Sequence, residues 1–235
     1  MVYWNVRVNM PTFLLGVAEN NKLVYRTALT KPWWGLWPNP GTVTGIAFMP
    51  DGKLLATGTD YQLYTKKAHD LQGEWEHIPN SGDVTALTVT PEGRIIGVGT
   101  DHKLWYRSSL STSWTQVANS GDVIAVTILS SGRFVGVGIN GHLYFRDILV
   151  ANWQHVPDSA DVIGVAELPD GKIAGVGANH ELYYREDLFR PWVYVPDIGT
   201  PRTRVIAVAS EQLVRKVDIV NGRAEPNAAP DPARM

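Results

Sequence analysis

From residue 14 onward the chain is built of short apolar runs broken by turn residues at nearly regular intervals. Runs such as Val123-Ile-Ala-Val-Thr-Ile128 and Val162-Ile-Gly-Val-Ala166 are apolar on both faces, as strands covered on two sides are. Each is followed by a turn: Pro50-Asp51-Gly52, Pro91-Glu92-Gly93, Ser130-Ser131-Gly132 and Pro169-Asp170-Gly171. Pro presets φ and Gly accepts positive φ, so these predict hairpins. A second strand carries Gly-Val-Gly, at 97–99, 136–138 and 175–177, with Leu14-Leu15-Gly16-Val17 and Leu54-Leu55-Ala56-Thr57-Gly58 as looser copies. A further turn holds Asn20, Asp60, Asp101, Asn140 and Asn179, expected to supply the left-handed residue of a tight hairpin. The third strand reads Leu104-Trp105-Tyr106-Arg107, Leu143-Tyr144-Phe145-Arg146 and Leu182-Tyr183-Tyr184-Arg185, with Leu23-Val24-Tyr25-Arg26 and Leu63-Tyr64-Thr65-Lys66 less regular. A fourth begins at a tryptophan, as in Trp75-Glu-His-Ile-Pro79.

The units repeat. Trp34, Trp75, Trp114, Trp153 and Trp192 are 41, 39, 39 and 39 residues apart, and Leu23, Leu63, Leu104, Leu143 and Leu182 are 40, 41, 39 and 39 apart. Four antiparallel strands per 40 residues, about five times over, predict an all-β fold: a β-propeller of five four-stranded blades. The glycines of the second strand are expected to leave room for a bulky group of the adjacent blade. The first-strand pattern returns at Val205-Ile-Ala-Val-Ala209, read as a C-terminal strand completing the blade begun near the N terminus, with Tyr3 to Val8 as an added edge strand. The alternative is six blades, the last closed by the N terminus with Trp4 on its fourth strand; five full copies of both columns favour five. Residues 1–216 form a single domain on this reading. Residues 217–235, with Pro226, Pro230 and Pro232 and no apolar period, read as a flexible tail.

Composition supports this and narrows the function. The 235 residues include nine Trp, 22 Gly and 15 Pro but only 19% charged residues, which is not the make-up of a helical bundle. Cysteine is absent, which excludes disulfides and thiolate metal sites. The formal net charge is −2 and no basic block occurs, so no nucleic-acid partner is expected. No run of 18 apolar residues is present, so no membrane insertion is expected. The start lacks a basic segment followed by an apolar one, so the expected location is cytoplasmic, or outside the cell by release without a signal peptide. No nucleophile elbow, His-Glu-x-x-His or phosphate-binding Gly loop is present, the six histidines lack ligand spacing, and no cofactor is expected; the chain reads as a non-enzyme.

The unit Gly-Val-Gly-x-[Asn/Asp]-x-x-Leu-Tyr-Tyr-Arg followed by Trp-x-x-Val-Pro resembles the tectonin repeat of tectonin- and tachylectin-type β-propeller lectins. The resemblance spans residues 12–210 and is carried best by 97–117, 136–156 and 175–195. It departs at the second Gly, where tectonin units often have Asn. The resemblance implies a multivalent lectin whose shallow sites around the ring bind glycans, such as N-acetylated hexosamines or O-methylated sugars. The alternative is a protein-interaction scaffold of the same fold without sugar binding.

Candidate ligand-binding residues come from three columns. Trp75, Trp114, Trp153 and Trp192 can stack on a pyranose face. Arg26, Arg107, Arg146 and Arg185 can donate forked hydrogen bonds to hydroxyl or acetamide oxygens. Asp101, Asn140 and Asn179 sit at exposed turn tips. Each column also has an architectural reading, since a scaffold needs the same residue in every blade. Asp83, Asp122 and Asp161, ahead of the first strands, read as turn residues rather than as a ring holding a cation. Trp33 and Trp37 stand outside the period and read as a plug at the chain closure, with an exposed aromatic contact as the alternative.

Overall fold

A computed structural model describes residues 14–35, 41–70, 73–199 and 202–210. Five four-stranded antiparallel sheets form a β-propeller, and no helix occurs among the described residues. Blade 1 contains β1 (Leu14–Ala18), β2 (Leu23–Arg26) and β3 (Trp34–Gly35); blade 2 contains β4 (Val43–Phe48), β5 (Lys53–Gly58), β6 (Leu63–Lys67) and β7 (Glu76–His77). Blade 3 contains β8 (Val84–Val89), β9 (Ile95–Gly99), β10 (Leu104–Arg107) and β11 (Thr115–Gln116). Blade 4 contains β12 (Val123–Ile128), β13 (Phe134–Gly138), β14 (Leu143–Arg146) and β15 (Gln154–His155). Blade 5 contains β16 (Val162–Glu167), β17 (Ile173–Gly177), β18 (Leu182–Arg185) and β19 (Val193–Tyr194).

The ring closes as the repeat predicts. The last strand, β20 (Val205–Ser210), pairs with β1 in the register Leu14↔Ser210 through Val17↔Ala207 and supplies the innermost strand of blade 1. The innermost strands then neighbour one another in a closed circuit, β4 to β8, β12, β16, β20 and back to β4. The expected edge strand at Tyr3 to Val8, Trp4 and the 217–235 tail lie outside the described residues.

Each joint between blades is a separate apolar core. Between blades 3 and 4 it joins Ile96, Val98 and Leu104 to Val123, Val126 and Phe134. The alternation on the third strand explains its sequence. Leu104 and Tyr106 face blade 4, whereas Arg107 turns to the opposite face, beside Trp114 and the core shared with blade 2. The bulky group that demands the first glycine is therefore the tryptophan of the same blade, not of the adjacent one. A Cβ on Gly136 would stand 2.8 Å from Cη2 of Trp153, a distance that real Cβ atoms do not show.

Two local expectations are corrected. In the first copy the packed indole is Trp33, not Trp34. A Cβ on Gly16 would lie 2.9 Å from Trp33, and Arg26 stacks over that ring at 4.9 Å. Trp34 is 55% exposed and occupies the outward position of Glu76, Thr115, Gln154 and Val193. Trp33 stands ten residues after Leu23, as Trp114, Trp153 and Trp192 stand after Leu104, Leu143 and Leu182, whereas Trp75 stands twelve after Leu63; counting back from Trp75 therefore selected the wrong member of the Trp-Trp pair. Trp37 lies outside the described residues. In the second hairpin, the left-handed residue is the one after the Asn/Asp column: Asn21, Tyr61, His102, Gly141 and His180, with φ between 58° and 76°. The column residue instead accepts the amide two positions on, as Asp101 Oδ1 does from Lys103 N at 3.1 Å.

Candidate functional site

The arginine column lies inside the joints. Arg26, Arg107, Arg146 and Arg185 are at most 2% exposed. Each guanidinium lies over its own blade's tryptophan at 4.2 to 5.2 Å. Each also donates to loop carbonyls: Arg107 Nε to Ser109 O at 3.0 Å, and Arg146 Nη1 to Ala151 O at 3.2 Å and to Asn119 O of blade 3 at 3.4 Å. Burial lowers all four pKa values, that of Arg146 to about 10, because the charged form gives up water. Arg107, Arg146 and Arg185 are thus brought to tryptophans and backbone, not to an open surface. In blade 2, Lys66 lies over Trp75 at 4.5 Å, and burial lowers its pKa to about 8.

A buried serine accompanies the arginine. Ser81, Ser120 and Ser159 each donate to a carbonyl at 2.6 Å and accept the amide that opens the third strand, Leu63, Leu104 or Leu143, at 2.8 to 3.0 Å. With both hydroxyl functions used inside the fold, this column is structural.

The turn column meets the surface. In blade 3, Asp101 Oδ1 accepts from the Trp105 indole Nε1 at 3.2 Å. In blade 2, the Tyr64 hydroxyl donates to Asp60 Oδ2 at 2.7 Å, which lowers the Asp60 pKa and raises that of Tyr64. In blades 4 and 5, Asn140 and Asn179 donate through Nδ2 to Tyr144 and Tyr183 at 2.8 Å. The second glycine, Gly58, Gly99, Gly138 or Gly177, is the floor under this pair. Blade 1 has Ala18 and Val24 there and no such pair. The fourth strand adds a ring beside the third-strand aromatic: His77 at 5.4 Å from Tyr64, His155 at 5.4 Å from Tyr144, and Tyr194 at 5.6 Å from Tyr183. In blade 4, His155 Nε2 is also 3.1 Å from His142 Nδ1.

These elements enclose a cavity of about 290 Å³ in blade 3 lined by Asp83, Thr100, Asp101, Trp105 and Trp114 with glycine backbone. Two predicted residues, Asp101 and Trp114, meet there. Asp83, expected as a turn residue, also lines it; it is exposed, with φ 64°, and its carbonyl accepts from Thr100 N at 2.9 Å. Trp105 was not among the candidates; its signal is its place four residues after the turn Asp or Asn, shared by Tyr64, Tyr144 and Tyr183. The Trp114 Nε1 is buried with no hydrogen-bond partner. Among the described residues, no group of three or more His, Asp or Glu is placed to hold a metal ion.

Two further cavities arise where the repeat breaks. One, of about 340 Å³, lies at the joint of blades 5 and 1 and brings together Arg26 and Asn179. The other, of about 300 Å³, is at the end of the central channel, where all five inner strands contribute. Glu167 ends β16 there in place of Phe48, Val89, Ile128 or Ser210. It is 6% exposed and accepts Ser130 Oγ at 2.9 Å and Ser130 N at 2.5 Å; burial raises its pKa. Its signal in the sequence is an acid closing an otherwise apolar strand.

No protein-family model and no curated protein matches the chain. Solved structures do. One comes from work on the de novo evolutionary emergence of a symmetrical protein: 18% identity, TM-score 0.56, covering 83% of this chain and 93% of that one. A chain of a nidogen/laminin complex is 12% identical, with a TM-score of 0.60, covering 85% of this chain and 98% of that one. A putative gluconolactonase is 15% identical, with a TM-score of 0.52, covering 82% and 79%. At such identities the likeness is one of fold, and that shared fold serves proteins of differing function.

Proposed function

We propose that the chain is a non-catalytic, multivalent carbohydrate-binding propeller. The observation that carries this reading is the blade-3 cavity. Indole surface from Trp105 and Trp114 stands beside the carboxylates of Asp83 and Asp101, an apolar face with acceptors at its rim, which suits a pyranose with its C–H face and hydroxyls. The paired turn residue and ring recur in blades 2, 4 and 5, so weak sites of one kind are spaced around a rigid ring. Such spacing gains avidity on glycans repeated over a surface. N-acetylated hexosamines are the first class to test, because the Asp83 and Asp101 carboxylates that line the cavity can accept from an acetamide N–H and from ring hydroxyls. Titration with N-acetylglucosamine, followed by NMR of the indole N–H resonances, should give a saturable shift of Trp105. Trp105→Ala should remove one site from the stoichiometry. A folded chain with no shift up to high millimolar sugar overturns the reading. The scaffold reading is favoured by one observation, the exposed apolar side chains Ile148, Val150 and Phe189 on the outer loops of blades 4 and 5. A sugar-blind protein would direct attention there.

A further inference from the structure

In blades 2 to 4, the step from the buried aliphatic just after the fourth strand to the first valine of the next blade is six residues: Ile78 to Val84, Val117 to Val123, Val156 to Val162. After blade 5 the step from Val195 to Val205 is ten residues. The position of the buried serine holds Ile198, which is 64% exposed. The longer loop is pinned by Asp197, whose carboxylate accepts Gly199 N at 3.0 Å and Thr203 N at 2.7 Å. What the serine turn closes elsewhere stays open here as the 340 Å³ cavity.

The lining is rich in guanidinium. Arg26 is fully buried, lines the cavity and has Nη1 without a hydrogen-bond partner; its Nε and Nη2 both donate to Lys31 O. Arg202 and Arg204 stand at the rim, 71% and 56% exposed along their side chains, loosely held by Glu181 at 3.7 Å and Glu19 at 3.3 Å. Three cations face two lining acids, Glu181 and Asp197; Asp197 accepts two backbone amides and its charge also acts on Arg26, and Glu19 outside the lining pairs with Arg204. Tyr194, 41% exposed, adds an aromatic wall and Thr203 a hydroxyl.

We propose that this closure pocket binds an acidic monosaccharide, its carboxylate held by the guanidinium groups and its ring against Tyr194. Paired guanidinium forks match a carboxylate, and a buried donor without a partner gains most from a charged acceptor. The proposal rests on and extends the sugar-binding reading, adding a second site of different chemistry at the closure. The experiment titrates the full chain with glucuronate, glucose and acetate, read by NMR at the Gly199 and Thr203 amides and at the Trp105 indole. Glucuronate should shift the two amides saturably, at least tenfold more tightly than acetate, while glucose leaves them unmoved. Arg202→Gln with Arg204→Gln should weaken glucuronate at least tenfold and leave the Trp105 response to N-acetylglucosamine intact. Glucuronate silent at these amides, matched by glucose or by acetate, or unaffected by the double substitution, overturns it. The Trp105 response reports the blade-3 site separately, so either site can fail alone.

Discussion

The joint between blades 3 and 4 and the joint between blades 5 and 1 use the same columns to different ends. In the first, Ser120 satisfies the Leu104 amide, Arg146 crosses to Asn119 O and stacks on Trp153, and the apolar core closes over them. In the second, Arg26 stacks on Trp33 in the same way, but the loop from blade 5 is longer, the serine is missing and a cavity remains. Arg26, Arg146 and Ser120 are thus tied into the frame, and the surface left for recognition lies where a column reaches solvent or where the repeat is interrupted.

The comparison breaks most visibly at the indoles. Trp153→Ala and Trp33→Ala should each cost about 3–5 kcal/mol in chemical denaturation, since each removes a large packed ring and strands a buried guanidinium. Trp34→Ala should stay within about 0.5 kcal/mol, as expected of an exposed side chain. Equal costs for Trp33 and Trp34 would undo the shifted column. Next in size is Ser120→Ala, expected to cost about 1–3 kcal/mol by leaving the Leu104 amide buried and unpaired.

Blade 2 sharpens the same contrast with a pH-dependent effect. Lys66 replaces the arginine, and its pKa in the fold is near 8 against an ordinary 10.5. Below pH 8 the ammonium is charged in both folded and unfolded chains, and the fold bears the full cost of burying it. Between pH 8 and 10.5 the unfolded chain holds more protons, so this residue makes stability rise with pH. At about 1.4 kcal/mol per pH unit the rise across that window should be about 3 kcal/mol, and Lys66→Arg, which stays charged throughout, should flatten it. A slope unchanged by the substitution would place its origin elsewhere.

The blade architecture was legible because it is written five times. Turn glycines, two-sided apolar strands and the returning Val205–Ala209 pattern fixed topology and closure together. The tryptophan column misled by one residue at Trp34, because the distance from Trp75 does not say which of two adjacent indoles faces in. The arginines were legible as a column but not as interior. An aromatic strand ending in Arg reads the same whether the guanidinium meets solvent or a ring of its own blade. Trp105 escaped notice because its partner, Asp101, lies across a turn and only the hairpin brings indole and carboxylate together. The closure pocket depends on an absence, the serine missing near Ile198, which becomes visible only after Ser81, Ser120 and Ser159 are seen buried.

The most direct measurement assigns the indole N–H resonances and follows them during titration with N-acetylglucosamine. Recognition at the turn-and-aromatic surface predicts a saturable shift of Trp105, lost in Asp101→Ala at little cost in stability, while the Trp34 resonance stays still. A folded protein in which Trp105 does not respond, or responds equally with Asp101 removed, would contradict it.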